Sequence, residues 1–86
     1  MLPGINRIHQ HDGKDYHLQV EDLGLPQACF EARVYDGGTV LWHKRIPYAE
    51  LIAQNLPKLE QDDALRSLME KTLIVMQAAI AKGKLA

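Results

Sequence analysis

The stretch that decides the fold is ACFEARVYDGGTVLWHKRI, residues 28–46, in which apolar and polar residues alternate on both sides of a glycine pair. Successive side chains of a β-strand point to opposite faces, so the alternation predicts two strands joined by a turn. We expect Asp36–Gly38 to form a three-residue loop, because that length opposes Val34 to Val40. The apolar face then holds Phe30, Ala32, Val34, Val40, Trp42 and Ile46, and the polar face holds Glu31, Arg33, Tyr35, Leu41, His43 and Arg45.

An earlier hairpin is predicted around Asp12-Gly13, a dipeptide that supplies the two positive-φ positions of a type I′ turn. With these two residues as the loop, Ile5 lies opposite Val20, and the apolar residues of the second strand fall on one face. The two hairpins together predict a four-stranded antiparallel meander within residues 5–46.

Helical periodicity replaces the strand alternation after Ile46. A short amphipathic helix is predicted over residues 47–56. Pro47 suits its first position because its fixed φ is helical, and the helix should end before Pro57 because the residue ahead of a proline avoids helical ψ.

A long C-terminal helix is predicted over residues 63–82. Asp62 or Asp63 is expected to cap its first turn, and Gly83 is a suitable stop. Apolar residues at three- and four-residue steps form the stripe that should face the sheet: Leu65, Leu68, Met69, Thr72, Leu73, Met76, Ala79 and Ile80. The predicted fold class is therefore α+β, an antiparallel sheet covered on one face by this helix.

The same helix carries apolar residues away from that stripe. Leu73–Met76 is a continuous apolar run, and at about 100° per residue it puts Ile74 almost opposite the centre of the stripe. A second subunit packed across a twofold axis is the commonest way to cover such a residue. We therefore expect a homodimer with an interface built from Ile74, Val75, Ala78 and Ala81.

Composition favours an ordinary globular protein: the 86 residues are 47% hydrophobic and 24% charged, with a formal net charge of −1. This length predicts a single domain over residues 1–86. The near-neutral charge gives no overall field that attracts nucleic acid. A single cysteine, Cys29, and the lack of a signal-like or membrane-length apolar segment predict a protein of the reducing cytoplasm without a membrane partner.

No pattern of residues predicts catalysis, a bound metal or a cofactor. His9 and His11 share a strand face, but the spacing of cysteines and histidines is not that of a zinc site. Cys29 could act as a nucleophile if His43 served as its base. A cysteine at the start of a strand, however, is more often a small buried apolar residue. We therefore expect a non-enzymatic protein.

Two carboxylates, Glu21 and Asp22, end the second strand of the first hairpin. In the favoured interpretation, Asp22 accepts backbone N–H bonds and shapes the turn that follows. In the alternative, the two carboxylates bind a cation or a basic partner.

The polar face of the sheet is a candidate surface for a partner or for single-stranded nucleic acid. It displays Arg33, Tyr35, His43 and Arg45, and basic residues around an aromatic ring can combine phosphate contacts with base stacking. An ordinary solvated face is the favoured interpretation, with Glu31 paired to Arg33 or Arg45.

The segments YHLQVEDLG (16–24), VYDGGTVL (34–41) and YAEL (48–51) resemble a family of small uncharacterised bacterial proteins. That family shares the order YHxQxEDLG, xGGxxL, YxxL and a terminal helix ending near Lys-Gly. The resemblance implies a bacterial source and a domain that recurs as a unit, and it implies no activity. Family members tend to have Thr-Ser where this chain has Ile46-Pro47. We expect a homodimeric protein-interaction module that presents either its open sheet face or a helical groove to another bacterial protein.

Overall fold

The fold is α+β, as predicted: the computed structural model, which describes residues 1–84, contains one antiparallel sheet and two helices. The strands lie side by side in chain order. The elements are β1 (Ile5–His11), β2 (Lys14–Asp22), β3 (Cys29–Asp36), β4 (Thr39–Pro47), α1 (Ala49–Ile52) and α2 (Lys58–Ala81). Among the described residues, none of the helices combines the length and the apolar character needed to cross a membrane.

The first hairpin has the predicted register. Ile5 pairs with Val20, and the loop consists of Asp12 and Gly13 with φ values of 51° and 76°. Both residues are in the left-handed region, which a type I′ turn requires. The Asp-Gly dipeptide therefore fixes which β2 side chains enter the core.

The second hairpin corrects the predicted loop length. Gly37 and Gly38 form a two-residue loop with φ values of 56° and 85°, so Val40 pairs with Tyr35 rather than with Val34. Val40 consequently lies on the polar face and is 46% exposed. A β-bulge follows, in which β4 has one extra residue, and this returns Trp42 to the apolar face opposite Val34.

The short helix is shorter than predicted, because α1 spans only Ala49–Ile52. Pro47 is the last residue of β4 rather than the first of the helix. Asn55 has a φ of 53°, and this left-handed residue ends helical geometry before Pro57 is reached.

The long helix starts five residues earlier than predicted, at Lys58, and Pro57 with ψ at 148° occupies the N-cap position. Neither Asp62 nor Asp63 caps it, and an early ion pair instead joins Lys58 Nζ to Asp62 Oδ2 at 3.2 Å. The predicted stop is confirmed. Gly83 has a φ of 69°, and the following N–H, of Lys84, donates to the Ala79 carbonyl at 2.9 Å.

One core joins the helix to the middle of the sheet. The buried apolar side chains of the sheet come from β2 and β3: Leu18, Val20, Cys29, Phe30, Ala32 and Val34. Those of α2 are Leu65, Met69, Leu73, Met76 and Ile80, all of them in the predicted stripe. Trp42 and Ile46 of β4 pack against this core but are only partly buried.

Candidate interaction surface

Helix α2 lies off the centre of the sheet, towards β1. Arg7 Nη2 contacts Glu70 Oε2 at 2.9 Å, and Gln77 Nε2 lies 3.2 Å from His9 Nδ1, so two polar contacts tie the helix to β1. A helix with its side chains is about 10 Å across, whereas the outer strands of a four-stranded sheet are about 14 Å apart. The helix cannot cover the whole apolar face, and β4 is the strand left at the margin.

A groove of about 250 Å³ runs between β4 and α2. Its apolar lining residues are Trp42, Ile46, Leu68, Val75 and Met76. Thr72 also lines it, with its hydroxyl donating to the Leu68 carbonyl at 2.9 Å. The ionisable lining residues among those described are two lysines, Lys44 and Lys71. Lys44 pairs with the buried Ala32, so it emerges on the helix side of the sheet. The groove is thus an apolar floor with positive charge at its rim.

The four residues predicted for a dimer interface are all exposed to solvent on α2, and we call them the outer helix face: Ile74, Val75, Ala78 and Ala81. Ile74 is 58% exposed and Val75 is 65% exposed. Val75 lines the groove beside β4 and also a second depression of about 330 Å³ that it shares with Ala78. Val75 therefore connects the groove to the second depression, whereas Ile74 lines neither of them and lies on the side of α2 that Glu70 and Gln77 turn towards β1.

Charge is distributed unevenly along α2 and the residues that follow it. Residues 58–70 contain four carboxylates and two cations, whereas residues 71–84 contain three lysines and no carboxylate. Both cations of the first part are paired locally, since Arg66 contacts Asp63 at 3.1 Å and Lys58 contacts Asp62. The helix is consequently acidic at its start and basic at its end.

The structure brings together the four candidate residues of the polar sheet face, Arg33, Tyr35, His43 and Arg45. Both arginines, however, form ion pairs with carboxylates. Glu31 accepts hydrogen bonds from the guanidinium of Arg33 and from Arg45 Nε, the latter at 3.4 Å. The hydrogen bond from Arg33 holds the pKa of Glu31 below its usual value, and the same bond raises the pKa of Arg33. The predicted ion pairs of a solvated face are confirmed.

A row of apolar and aromatic side chains crosses this open face, and it was missed by sequence reasoning. Ile8 pairs with His17, His17 with Tyr35, and Tyr35 with Val40. The rings of His17 and Tyr35 are stacked, with centroids 5.5 Å apart. Ile8 at one end is 62% exposed. The sequence signal for this row is the Gly37-Gly38 pair, because a two-residue loop at these glycines moves Val40 onto the polar face.

Asp22 is buried and shapes the loop after β2, as the favoured interpretation predicted. Its Oδ1 accepts hydrogen bonds from Tyr48 Oη at 2.6 Å and from the Gly24 N–H at 3.0 Å, and its Oδ2 accepts from the Leu2 N–H at 2.9 Å. Burial alone would raise the pKa of Asp22, but these three hydrogen bonds outweigh it and lower the pKa. Burial and the neighbouring carboxylate raise the pKa of Tyr48 far above its ordinary value.

The histidines and the cysteine are dispersed. Among residues 1–84, no three metal-binding side chains come together. His17 Nε2 lies 3.0 Å from Asn6 Oδ1, and His11 contacts Asp12 at 3.3 Å. Cys29 is buried and pairs with Pro47, whereas His43 pairs with Arg33, four strand residues further on. Cys29 and His43 are therefore not brought together as nucleophile and base.

Comparison of the chain with models of protein families, with curated proteins and with solved structures finds no match. The resemblance to small bacterial proteins stays a prediction, and the function is argued from the geometry of the surfaces.

Proposed function

We propose that this chain is a non-enzymatic protein-interaction module that acts as a homodimer, with the outer helix face in the interface. The observation that carries the proposal is the exposure of two neighbouring apolar residues of α2, Ile74 at 58% and Val75 at 65%, of which Val75 borders an apolar groove. Single exposed apolar residues are normal on a monomer, but neighbouring exposed apolar residues that border an apolar depression, as Val75 does, are typical of an interaction site.

The energetics require more than the two exposed residues. Fully burying a Val or Ile side chain stabilises by about 1.5–3 kcal/mol, so covering the exposed part of Ile74 and Val75 gains about 1–2 kcal/mol each. A twofold interface contains these residues twice, which brings the gain to about 4–8 kcal/mol, whereas association costs about 4–15 kcal/mol. A stable dimer must therefore also cover surface beyond these two residues.

The setting of the module follows from other features. A single buried cysteine is compatible with a reducing compartment, and the resemblance implies a bacterium, so the proposal places the homodimer in a bacterial cytoplasm. Binding of single-stranded nucleic acid to the polar sheet face has less support, because Arg33 and Arg45 are paired with Glu31 and offer less free positive charge to phosphates.

Light scattering coupled to size-exclusion chromatography tests the homodimer. The wild-type protein should elute with twice the mass of one chain, and Ile74→Glu should elute as a folded monomer, because a carboxylate in an apolar interface is strongly unfavourable. Ile8→Glu is a matched variant, since Ile8 is 62% exposed on the opposite side of the sheet and should leave intact a dimer that associates through the helix face alone.

Two results would contradict the proposal. One is a wild-type chain that stays monomeric at high concentration. The other is a dimer that survives Ile74→Glu and dissociates with Ile8→Glu, which would move the interface to the open face of the sheet.

A further inference from the structure

The sheet has two edge strands, and one of them, β4, is protected against pairing with another chain. In the part of the chain that the structure describes, β1 and β4 each pair with a single neighbouring strand. Lys44 of β4 emerges on the helix side of its edge, because it pairs with the buried Ala32, and a bulge interrupts β4 between Val40 and Trp42. Inward-pointing charges and bulges are devices by which edge strands resist pairing. The edge that remains open to another strand is therefore β1.

Strand β1 is regular along its whole length. Ile5–His11 pairs with β2 residue for residue, without a register shift, and contains neither proline nor glycine nor lysine. Its inward-pointing charge, Arg7, is neutralised by Glu70, whose Oε2 lies 2.9 Å from the guanidinium. The strand thus keeps the straight, unprotected geometry that favours addition of a further strand.

The backbone of β1 presents a row of hydrogen-bonding groups on its outer side. His11 and Lys14 flank the two-residue turn and exchange both of their hydrogen bonds, so every second residue back from His11 bonds to β2. The N–H and C=O groups of the residues between them point away from β2, and these residues are Asn6, Ile8 and Gln10. Among residues 1–84, no backbone group bonds to them on that side.

We infer that β1 pairs antiparallel with β1 of a second copy of the chain, which joins two four-stranded sheets into one sheet of eight strands. The inference rests on the proposed homodimer and specifies its geometry. Ile8 is the middle residue of Ile5–His11, and a twofold axis through it, perpendicular to the sheet, opposes all seven residues of the two strands. A shift of the register by two residues would shorten the pairing and oppose either Arg7 to Arg7 or His9 to His9.

The same axis brings the two copies of α2 side by side. A rotation about an axis perpendicular to the sheet keeps both helices on one side of the joint sheet and reverses their direction, so they lie antiparallel in one layer. Since strands are about 4.8 Å apart, a helix above β1 and β2 lies about 10–14 Å from its copy. Packed helices are about 8–10 Å apart, so long side chains on the facing flanks are needed to fill the space.

Ile74 lies where the two helices face each other. Contacts of 2.9 and 3.2 Å tie residues 70 and 77 of α2 to the strand residues on either side of Ile8, so the middle of this helix segment is level with Ile8. Ile74 has this level and the same flank, since it is four residues after Glu70 and three before Gln77. Ile74 of one copy therefore meets Ile74 of the other at the twofold axis.

The arrangement covers two exposed isoleucines with one interface. Ile8 and Ile74 are each more than half exposed, and they lie on opposite faces of the sheet at the same edge. On the open face Ile8 comes to lie opposite Ile8 of the second copy, with Asn6 opposite Gln10 on both sides of it. These pairs also satisfy the outer backbone groups of β1 with about six hydrogen bonds.

Three glutamate variants test the pairing by light scattering coupled to size-exclusion chromatography. Ile8→Glu and Ile74→Glu should both elute as monomers, because each places two carboxylates opposite one another at the axis. Val75→Glu is the matched control: it is one residue after Ile74 and equally exposed, but it lies on the flank of α2 that borders the groove beside β4. It should elute as a dimer. Circular dichroism checks that all three variants are folded.

Amide hydrogen exchange followed by NMR tests the hydrogen bonds themselves. The N–H groups of Asn6, Ile8 and Gln10 should exchange at least about tenfold more slowly in the wild-type dimer than in Ile74→Glu, because they are bonded only in the dimer. The N–H groups of Arg7 and His9 bond to β2 in both states and serve as the internal reference.

The outcomes separate the two proposals. A wild-type monomer would overturn the homodimer and the pairing of β1 together. A wild-type dimer that Ile8→Glu leaves intact, or in which the three outer amides exchange as fast as in Ile74→Glu, would overturn the pairing and leave the homodimer standing. Monomeric Ile8→Glu and Ile74→Glu, a dimeric Val75→Glu and slow exchange of the outer amides would support both.

Discussion

Replacing Tyr48 by phenylalanine should destabilise the protein by about 2 kcal/mol at pH 7, because a hydrogen bond to a buried charged group contributes about 1.5–3 kcal/mol. The bond from Tyr48 Oη to Asp22 Oδ1 is 2.6 Å long, and the oxygen keeps only the Gly24 N–H once the hydroxyl is removed. The Phe30 ring, with its centroid 4.7 Å from that of Tyr48, still has its partner in the variant. The loss therefore measures the hydrogen bond rather than a cavity.

The pH dependence of the loss follows from the lowered pKa of Asp22. A carboxyl with a lower pKa in the folded protein stabilises it above the unfolded pKa, ordinarily 3.8, and this stabilisation is lost as the pH falls through the folded value. Phenylalanine at position 48 removes one cause of the lowering, so acid unfolding of the variant should begin at higher pH. The difference between variant and wild type should shrink towards about 1 kcal/mol in acid, where the Asp22 carboxyl is neutral.

The assay is urea unfolding followed by circular dichroism between pH 2 and pH 7, or a melting curve, in which 2 kcal/mol corresponds to about 10 °C for a chain of this length. Tyr35→Phe is the matched control, since the Tyr35 hydroxyl is partly exposed and its hydrogen bond to Gln19 Oε1 is long, at 3.5 Å. It should cost no more than about 0.5 kcal/mol. An equal loss of unfolding free energy in the two variants would refute this account of Asp22. So would a decrease of stability at low pH that is the same for Tyr48→Phe and wild type.

Two further predictions concern the core and the second hairpin. Leu73→Ala should cost about 2–5 kcal/mol in urea unfolding, because Leu73 is fully buried between helix and sheet, while Ile74→Ala one residue on should change the stability of the monomer by less than about 0.5 kcal/mol. Equal costs for Leu73→Ala and Ile74→Ala would contradict the assignment of Leu73 to the side of α2 that faces the sheet. Gly38→Ala should cost about 1 kcal/mol by the same measurement, because a Cβ is unfavourable at a φ of 85°, and Gly38→Asn should cost less. An unchanged stability in Gly38→Ala would contradict the left-handed conformation of Gly38.

Sequence reasoning succeeded where a local pattern has one structural solution. The Asp12-Gly13 turn fixed the register of the first hairpin, and the three- and four-residue spacing of Leu65, Met69 and Leu73 fixed which side of α2 meets the sheet. It failed where two local solutions are close in energy. Asp36–Gly38 is compatible with loops of two or three residues. The choice depends on a β-bulge in β4, which no single residue of the sequence indicates.

The candidate surface was only half visible in the sequence. The exposure of Ile74 and Val75 could be predicted, because it follows from helical geometry alone. The groove beside β4 could not, since it depends on the sideways position of α2 on the sheet. That position is set by contacts between residues more than 60 positions apart, such as Arg7 with Glu70.

The order of the strands has a consequence for how the chain folds. Every strand pairs only with its neighbour in the sequence, so each hairpin closes a short loop before any distant segment must be found. Two-stranded hairpins form in about 1–10 μs, and the whole sheet can grow from them by addition of adjacent strands. We expect the docking of α2 to be the slow step, because its partners on β1 are distant in the chain. Until α2 has docked, the apolar face of the sheet stays accessible to other molecules.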